Sequence, residues 1–177
     1  ERAGVFQLAV HLPQDMEVRH VRGSAAPNAQ PAAVDNHHVE EGPTRRLVVD
    51  LSRKAMGHVA LTVRLVRRLS EPDLLSPTGQ KVDVKFDLPR VAPEGLERDA
   101  GSLIVYAPET LRIVPTTSGL RTIDAGEVLK PIGGESPLTH DPAERPVVTC
   151  AYADEKAAIT LTAERRAPQL TVRQALQ

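Results

Sequence analysis

The chain has 177 residues, enough for one full core or for two small cores sharing an interface. Hydrophobic residues make up 41% but aromatics only 2%, with no Trp, so the core is built from Val, Leu, Ile and Ala. Stacking platforms for sugars or single-stranded nucleic acid are therefore scarce. Twenty-two basic residues against 23 acidic ones, both scattered, give a net charge of −1 and no electrostatic footprint for nucleic acid or an anionic membrane.

Fifteen prolines and 11 glycines punctuate a chain with few helical patterns, as in a β protein with many turns. The lone Cys150 excludes an internal disulfide and reads as a small buried apolar residue. No stretch approaches the roughly 18 apolar residues that span a bilayer, so direct membrane insertion is not expected. The chain opens on Glu1-Arg2-Ala3-Gly4 without an initiator Met or signal peptide, which reads as a segment of a longer protein.

Val5 to Val10 alternates, with Phe6, Leu8 and Val10 on one face, and Met16 to Arg22 does so after a turn at Pro13-Gln14-Asp15. The two read as a half-buried strand pair. Ser24 to Thr44 shows no periodicity and reads as a loop; being longer than the usual prior of under roughly 15 residues, it is either functional, partly disordered or hides an element without a periodic signal. Leu47, Val49 and Leu51 mark a short strand. His58 to Leu69 alternates again and is the longest strand expected, with a bulge or an exposed end where Val66 meets Arg67 and Arg68. Val82, Val84, Phe86 and Leu88 alternate strictly with Lys81, Asp83, Lys85 and Asp87, one face core and the other wet.

Pro89, Pro93 and Gly95 suggest a waist at 89–96. Beyond it, Glu97, Arg98 and Asp99 lead through a Gly101 hinge into Leu103 to Ala107, whose unbroken apolar run suits a central strand covered on both faces. Pro108-Glu109 predicts a tight turn that folds Leu111 to Val114 back beside it. After Ser118-Gly119 comes Leu120 to Ile123, then Asp124-Ala-Gly-Glu127, a capped helical turn running to Lys130. Ile132 to Pro146 reads as an exposed loop. Val147 to Tyr152 and Ala158 to Ala163 read as a closing hairpin, with Ile159 and Leu161 inward, and Leu170 to Arg173 as a last short strand. About ten or eleven strands with at most one helical turn imply an all-β, two-layer antiparallel β-sandwich, a single domain over 1–177.

Three phrases carry a resemblance: Phe6-Gln-Leu-Ala-Val-His-Leu-Pro13 followed by Val18 to Gly23; Asp87-Leu-Pro89 with Glu97-Arg-Asp-Ala-Gly101; and Ala151-Tyr152 leading into Ile159-Thr-Leu-Thr-Ala163. Together they resemble long extracytoplasmic bacterial proteins made of successive β-sandwich modules. The resemblance implies a periplasmic or cell-surface segment that interacts with neighbouring domains of its chain or with a protein partner. It brings no catalytic residue and no cofactor.

Several constellations invite chemistry. In Asp35-Asn36-His37-His38-Val39-Glu40-Glu41, the residues His37, His38 and Glu40 are of types that ligate divalent metals. Neighbours in an extended chain point to opposite faces, however, so a solvated loop is the plainer reading. Asp50, Ser52 and His58 have the residue types of a nucleophilic triad without its glycine-rich surroundings. His140-Asp141 reads as a turn. Glu97 and Asp99 are candidates for paired carboxylates, but a structural corner with Arg98 in a bidentate ion pair is favoured. Arg64, Arg67, Arg68, Arg165 and Arg166 read as solvated strand ends.

The reading that results is a non-catalytic structural or interaction module of a larger envelope or secreted protein. A carbohydrate- or other ligand-binding module competes with it, and would need Tyr106 and Tyr152 exposed on one concave face. A hydrolase-type domain is the second alternative, and would need Glu97, Asp99 and His58 to converge in a pocket.

Overall fold

A computed structural model describes residues 4–24, 26, 28–69, 83–88, 100–128, 143–153 and 157–165. The chain runs through β1 (Val5–His11), β2 (Glu17–Gly23), β3 (Gln30–Pro31), β4 (Val34–Glu40), β5 (Arg46–Ala55) and β6 (Val59–Val66). It continues with β7 (Asp83–Leu88), β8 (Gly101–Pro108), β9 (Leu111–Ser118) and β10 (Arg121–Thr122), a single helical turn α1 (Ala125–Val128), then β11 (Glu144–Tyr152) and β12 (Ala158–Arg165). The fold is all-β, and the pairs are antiparallel except β3 with β6.

Among the described residues the strands form four three-stranded sheets, ordered β1-β5-β4, β2-β6-β3, β10-β11-β8 and β7-β12-β9. Two apolar cores follow from this arrangement. In the first, Val10, Leu47, Val49 and Leu51 from one sheet pack with Val21, Leu61 and Val63 from the other. In the second, Val148 and Cys150 of β11 pack with Ile159 and Leu161 of β12, flanked by Leu103, Val105 and Ile113. Each pair of sheets is thus a small sandwich closed on its own interior. The cores divide the strands between β6 and β7; residues 89–96, where the sequence suggests a waist, lie outside the described residues.

Both halves use one plan, in which the last two strands are consecutive in sequence yet lie at the centres of opposite sheets. β5 and β6 do this in the first half, β11 and β12 in the second. Three sequence expectations fail for this reason. β1 and β2 are not a strand pair, since β1 pairs with β5 and β2 with β6. β9 does not fold back on β8 but crosses to β12. β11 and β12 are not a hairpin either, because β11 pairs with β8 and β10 while β12 pairs with β7 and β9.

Other positions shift as well. Among the described residues β8 is an edge strand of its sheet, not a central one, whereas β5 is central and buries Leu47, Val48 and Val49 in its first half. At 10 residues β5 is also longer than the 8-residue β6, which ends at Val66, where the sequence allows an exposed end. Of the alternatives for 24–44 the hidden element holds, as the stretch contains β3 and β4, whereas the supposed loop before Val147 already contains the start of β11. Pro146 is accommodated there because the ladder to β8 shifts register between Pro146 and Val148. The strand expected over Leu170 to Arg173 lies outside the described residues.

Local expectations fare better. Ile159 and Leu161 are buried at 5% and 1% exposure, and Lys85 is exposed. Asp124 caps α1, its Oδ1 accepting the Gly126 N–H at 2.7 Å. Gly23 is required by packing: a Cβ there would sit 2.0 Å from the Ala32 carbonyl oxygen. Gly101 is a strand residue, not a hinge, and the ring of Tyr152 lies over it, with Oη 2.7 Å from where a Cβ would be.

Cys150 is 1% exposed, and burial pushes its thiol pKa up from 9.0. A thiolate is the reactive form, so the folded protein is expected to resist a thiol reagent that modifies the denatured chain at once. Rapid modification of the native protein at neutral pH would contradict the second core as described.

Candidate functional site

Alternation along β5 sends Leu47, Val49 and Leu51 to the core, so Arg46, Val48 and Asp50 lie on the other face. The ladders place His11 and Glu40 on either side of Arg46, Ala9 and His38 beside Val48, and Gln7 and Asn36 beside Asp50. Three strands thereby assemble a polar face that no single segment contains. Its side chains engage one another. Arg46 donates from Nη2 to Glu40 Oε2 at 2.5 Å, and Gln7 donates from Nε2 to Asp50 Oδ1 at 2.9 Å. His38 stands between two carboxylates, Nε2 at 3.8 Å from Glu40 Oε1 and Nδ1 at 3.9 Å from Asp50 Oδ2. Val48 is only 4% exposed although it lies on this face, which fits coverage by its longer polar neighbours. At one end, His11, Glu40 and Arg46 border a shallow cleft of about 420 Å³ closed by the turn Glu41 to Thr44.

The metal reading of His37, His38 and Glu40 changes accordingly. These residues lie on an edge strand, β4, and not on a loop. His37 pairs with Val49 and His38 with Val48, so the two imidazoles leave from opposite faces. The two ring nitrogens of His38 face different carboxylates, and one ion cannot take both nitrogens of one ring. Among the described residues no group of three or more His, Cys, Asp and Glu side chains is placed to hold a metal.

No family model, curated protein or solved structure matches this chain. Its function must therefore be argued from its own surface.

The triad types do not assemble. Asp50 is engaged by Gln7 and faces His38, the Ser52 hydroxyl donates to the Ala33 carbonyl at 3.2 Å, and His58 is exposed beyond the end of β5. Tyr106 and Tyr152 lie in one sheet but on opposite faces. Tyr152 pairs with Gly101 on the core side, whereas Tyr106, five positions along β8, faces the other way and pairs with Pro146. They form no shared aromatic platform. Glu97, Arg98 and Asp99 lie outside the described residues, as do His140, Asp141 and Arg166. His11, Gln7 and Arg46 are the site residues that sequence reasoning missed; only strand register brings them together.

Tyr106 marks a second polar cluster. Glu144 of β11 accepts from Arg64 Nη2 of β6 at 3.1 Å, with both side chains largely covered, so Arg64 is no solvated strand end. The pair links the first half of the chain to the second. Arg67 and Arg68 face Asp15 and Glu17 at 2.8 and 3.8 Å. Burial pushes the Tyr106 phenol above its ordinary 10.0, opposed by the Arg64 guanidinium and reinforced by the Glu144 carboxylate. A raised folded-state pKa means that the stabilising contribution is present below about pH 10 and is lost as pH rises through the folded value. Denaturant midpoints at pH 8 and pH 10.5 should therefore fall further for the wild type than for Tyr106→Phe. Equal falls would show that the phenol plays no part.

Proposed function

We propose that the chain is a non-catalytic interaction module of a larger envelope or secreted bacterial protein, holding neighbouring domains or a protein partner. The observation that carries this reading is the polar face of the β1-β5-β4 sheet. Its charged groups are tied to one another, as Arg46 is to Glu40, which pre-organises the surface, and the cleft at its margin is shallow. Surfaces with fixed polar groups suit contact with another macromolecule, while small-molecule sites are concave and mostly apolar. The sequence phrases that resemble those of successive β-sandwich modules support the same reading.

The test is thermal unfolding of the chain alone and with a panel of divalent metals and soluble oligosaccharides, because a ligand that binds only the native state raises the midpoint. No member of the panel is expected to shift it. A shift with zinc that disappears on replacing His37 and His38 by Ala would overturn the reading in favour of a metal site. A shift with an oligosaccharide would overturn it in favour of a sugar-binding module.

A further inference from the structure

Single exposed apolar side chains are ordinary, but a group of them marks a contact. Among the described residues the large apolar side chains left exposed are Val5, Phe6, Met56 and Val114, and the first three lie at one corner of the first sandwich. Register brings them there. Val5 pairs with Ala55, next to Met56, and a Cβ on Gly4 would lie 2.8 Å from Met56 Cγ and 2.9 Å from Lys54 Cγ. The ladder then skips to Gln7 with Asp50, so Phe6 stands beside residues 51–54 of β5. Gly57, at φ 72°, turns the chain from β5 towards β6, and Met56 before it is 62% exposed; Phe6 is 60% exposed. The same corner carries charge of one sign. Arg53 and Lys54 are exposed, and among the described residues neither meets a carboxylate, whereas Arg19, Arg46, Arg64 and Arg67 all do. No Asp or Glu occurs in the sequence between Asp50 and Glu71. Asp50 is engaged by Gln7 and faces His38, and Asp35 sits level with it on β4, back from the corner.

We propose that this corner, formed by Val5, Phe6, Arg53, Lys54 and Met56, docks the protein on the surface of an anionic lipid bilayer. It is a second contact, at the end of β1 and β5 opposite the cleft that borders the polar face. The choice of partner follows from the two chemistries held side by side. Cations draw the corner to anionic headgroups, and the apolar side chains beside them gain burial by entering the headgroup region. A nucleic acid would reward the cations, but it needs stacking rings, and Phe6 is the one aromatic residue of the corner. A chain net charge of −1 hides this local excess of positive charge, because the acidic residues that balance it stand elsewhere. Docking of this kind is peripheral: among the described residues no helix is long and apolar enough to cross a membrane.

Co-sedimentation of the whole chain with vesicles tests the proposal, using phosphatidylcholine alone and phosphatidylcholine mixed with phosphatidylglycerol. Binding is expected to the mixed vesicles only, and to weaken as salt is raised. Lys54→Ala should lower the affinity about fivefold. Lys85→Ala, which removes an exposed cation from β7, should leave it unchanged. Arg53→Glu combined with Lys54→Glu should abolish binding, and Phe6→Gln combined with Met56→Gln should weaken it even at low salt. All of these positions are exposed, so circular dichroism spectra are expected to match the wild type. An absence of binding to the mixed vesicles overturns the proposal. So does an equal loss with Lys54→Ala and Lys85→Ala, which would reduce the effect to net charge. Binding at full strength after Phe6→Gln with Met56→Gln, or equal affinity for a single-stranded oligonucleotide, would make the corner a general polyanion site and overturn it as well. Such failures concern the corner alone; the module reading is tested separately by the ligand panel.

Discussion

Leu47→Ala is expected to destabilise the first core by about 2–5 kcal/mol, the usual cost of deleting a buried leucine side chain and leaving a cavity. Leu47 has 0% exposure, sits in the middle strand of its sheet, and is opposed by Val10 on β1 and Val39 on β4. Strands pinned on both sides collapse poorly around a void, which places the effect towards the upper end. The second core should respond little. Among the described residues no strand ladder crosses between the cores, and a partly covered ion pair such as Arg64–Glu144 is worth about 1 kcal/mol. Cys150 provides an independent reporter, because it is buried in the second core only. In urea, the backbone signal of the first half should move to lower denaturant in Leu47→Ala while the midpoint of Cys150 modification stays in place. If both midpoints move together, the two cores unfold as one unit.

The same distinction explains what could be read in the sequence. Alternation assigns faces, and it did so correctly for Val10, Leu47, Val49, Leu51, Ile159 and Leu161, all of which are buried. It carries no information on which strand is the neighbour. A period of two is the same whether the next strand lies beside the first or in the opposite sheet, so Pro108-Glu109 reads as a hairpin turn although it passes the chain between layers. β8 reads as central because its outward positions Ile104 and Tyr106 are apolar as well as its inward ones. They are half-buried although β8 has no second flanking strand among the described residues, and Tyr106 lies in the cluster with Arg64 and Glu144. β4 was hidden for the opposite reason. Asp35, Asn36, His37 and His38 are poor or neutral strand formers, and an edge strand with a register shift needs no apolar stripe to be held by β5. Within the candidate site, His38, Glu40 and Asp50 stand out as residue types, but their association with Gln7, His11 and Arg46 depends on register.

Arg45→Ala is expected to cost about 2–4 kcal/mol, more than its position beside the turn at Glu41 to Thr44 suggests. The Arg45 side chain is only 13% exposed. Its guanidinium donates from Nη1 to the Pro13 carbonyl at 3.0 Å and to the Met16 carbonyl, and from Nε to Glu41 Oε1 at 2.9 Å. Pro13 and Met16 flank the connection by which the chain leaves β1 in one sheet and enters β2 in the other. A crossing of this kind has no ladder to occupy its carbonyls, and a buried carbonyl without a donor costs about 1–3 kcal/mol. Arg45 supplies the donors, while its own backbone carbonyl accepts the Leu12 N–H at 2.9 Å. The exposed Glu41 contributes little beyond orienting the guanidinium, so Glu41→Ala should cost under about 1 kcal/mol. Arg45→Lys is expected to recover only part of the loss, because one ammonium at the end of a flexible stem cannot reproduce the planar fork that reaches two carbonyls and a carboxylate together. Urea midpoints for the three variants check this ordering, and Glu41→Ala falling as far as Arg45→Ala would assign the stabilisation to the surface ion pair instead of the bridged crossing.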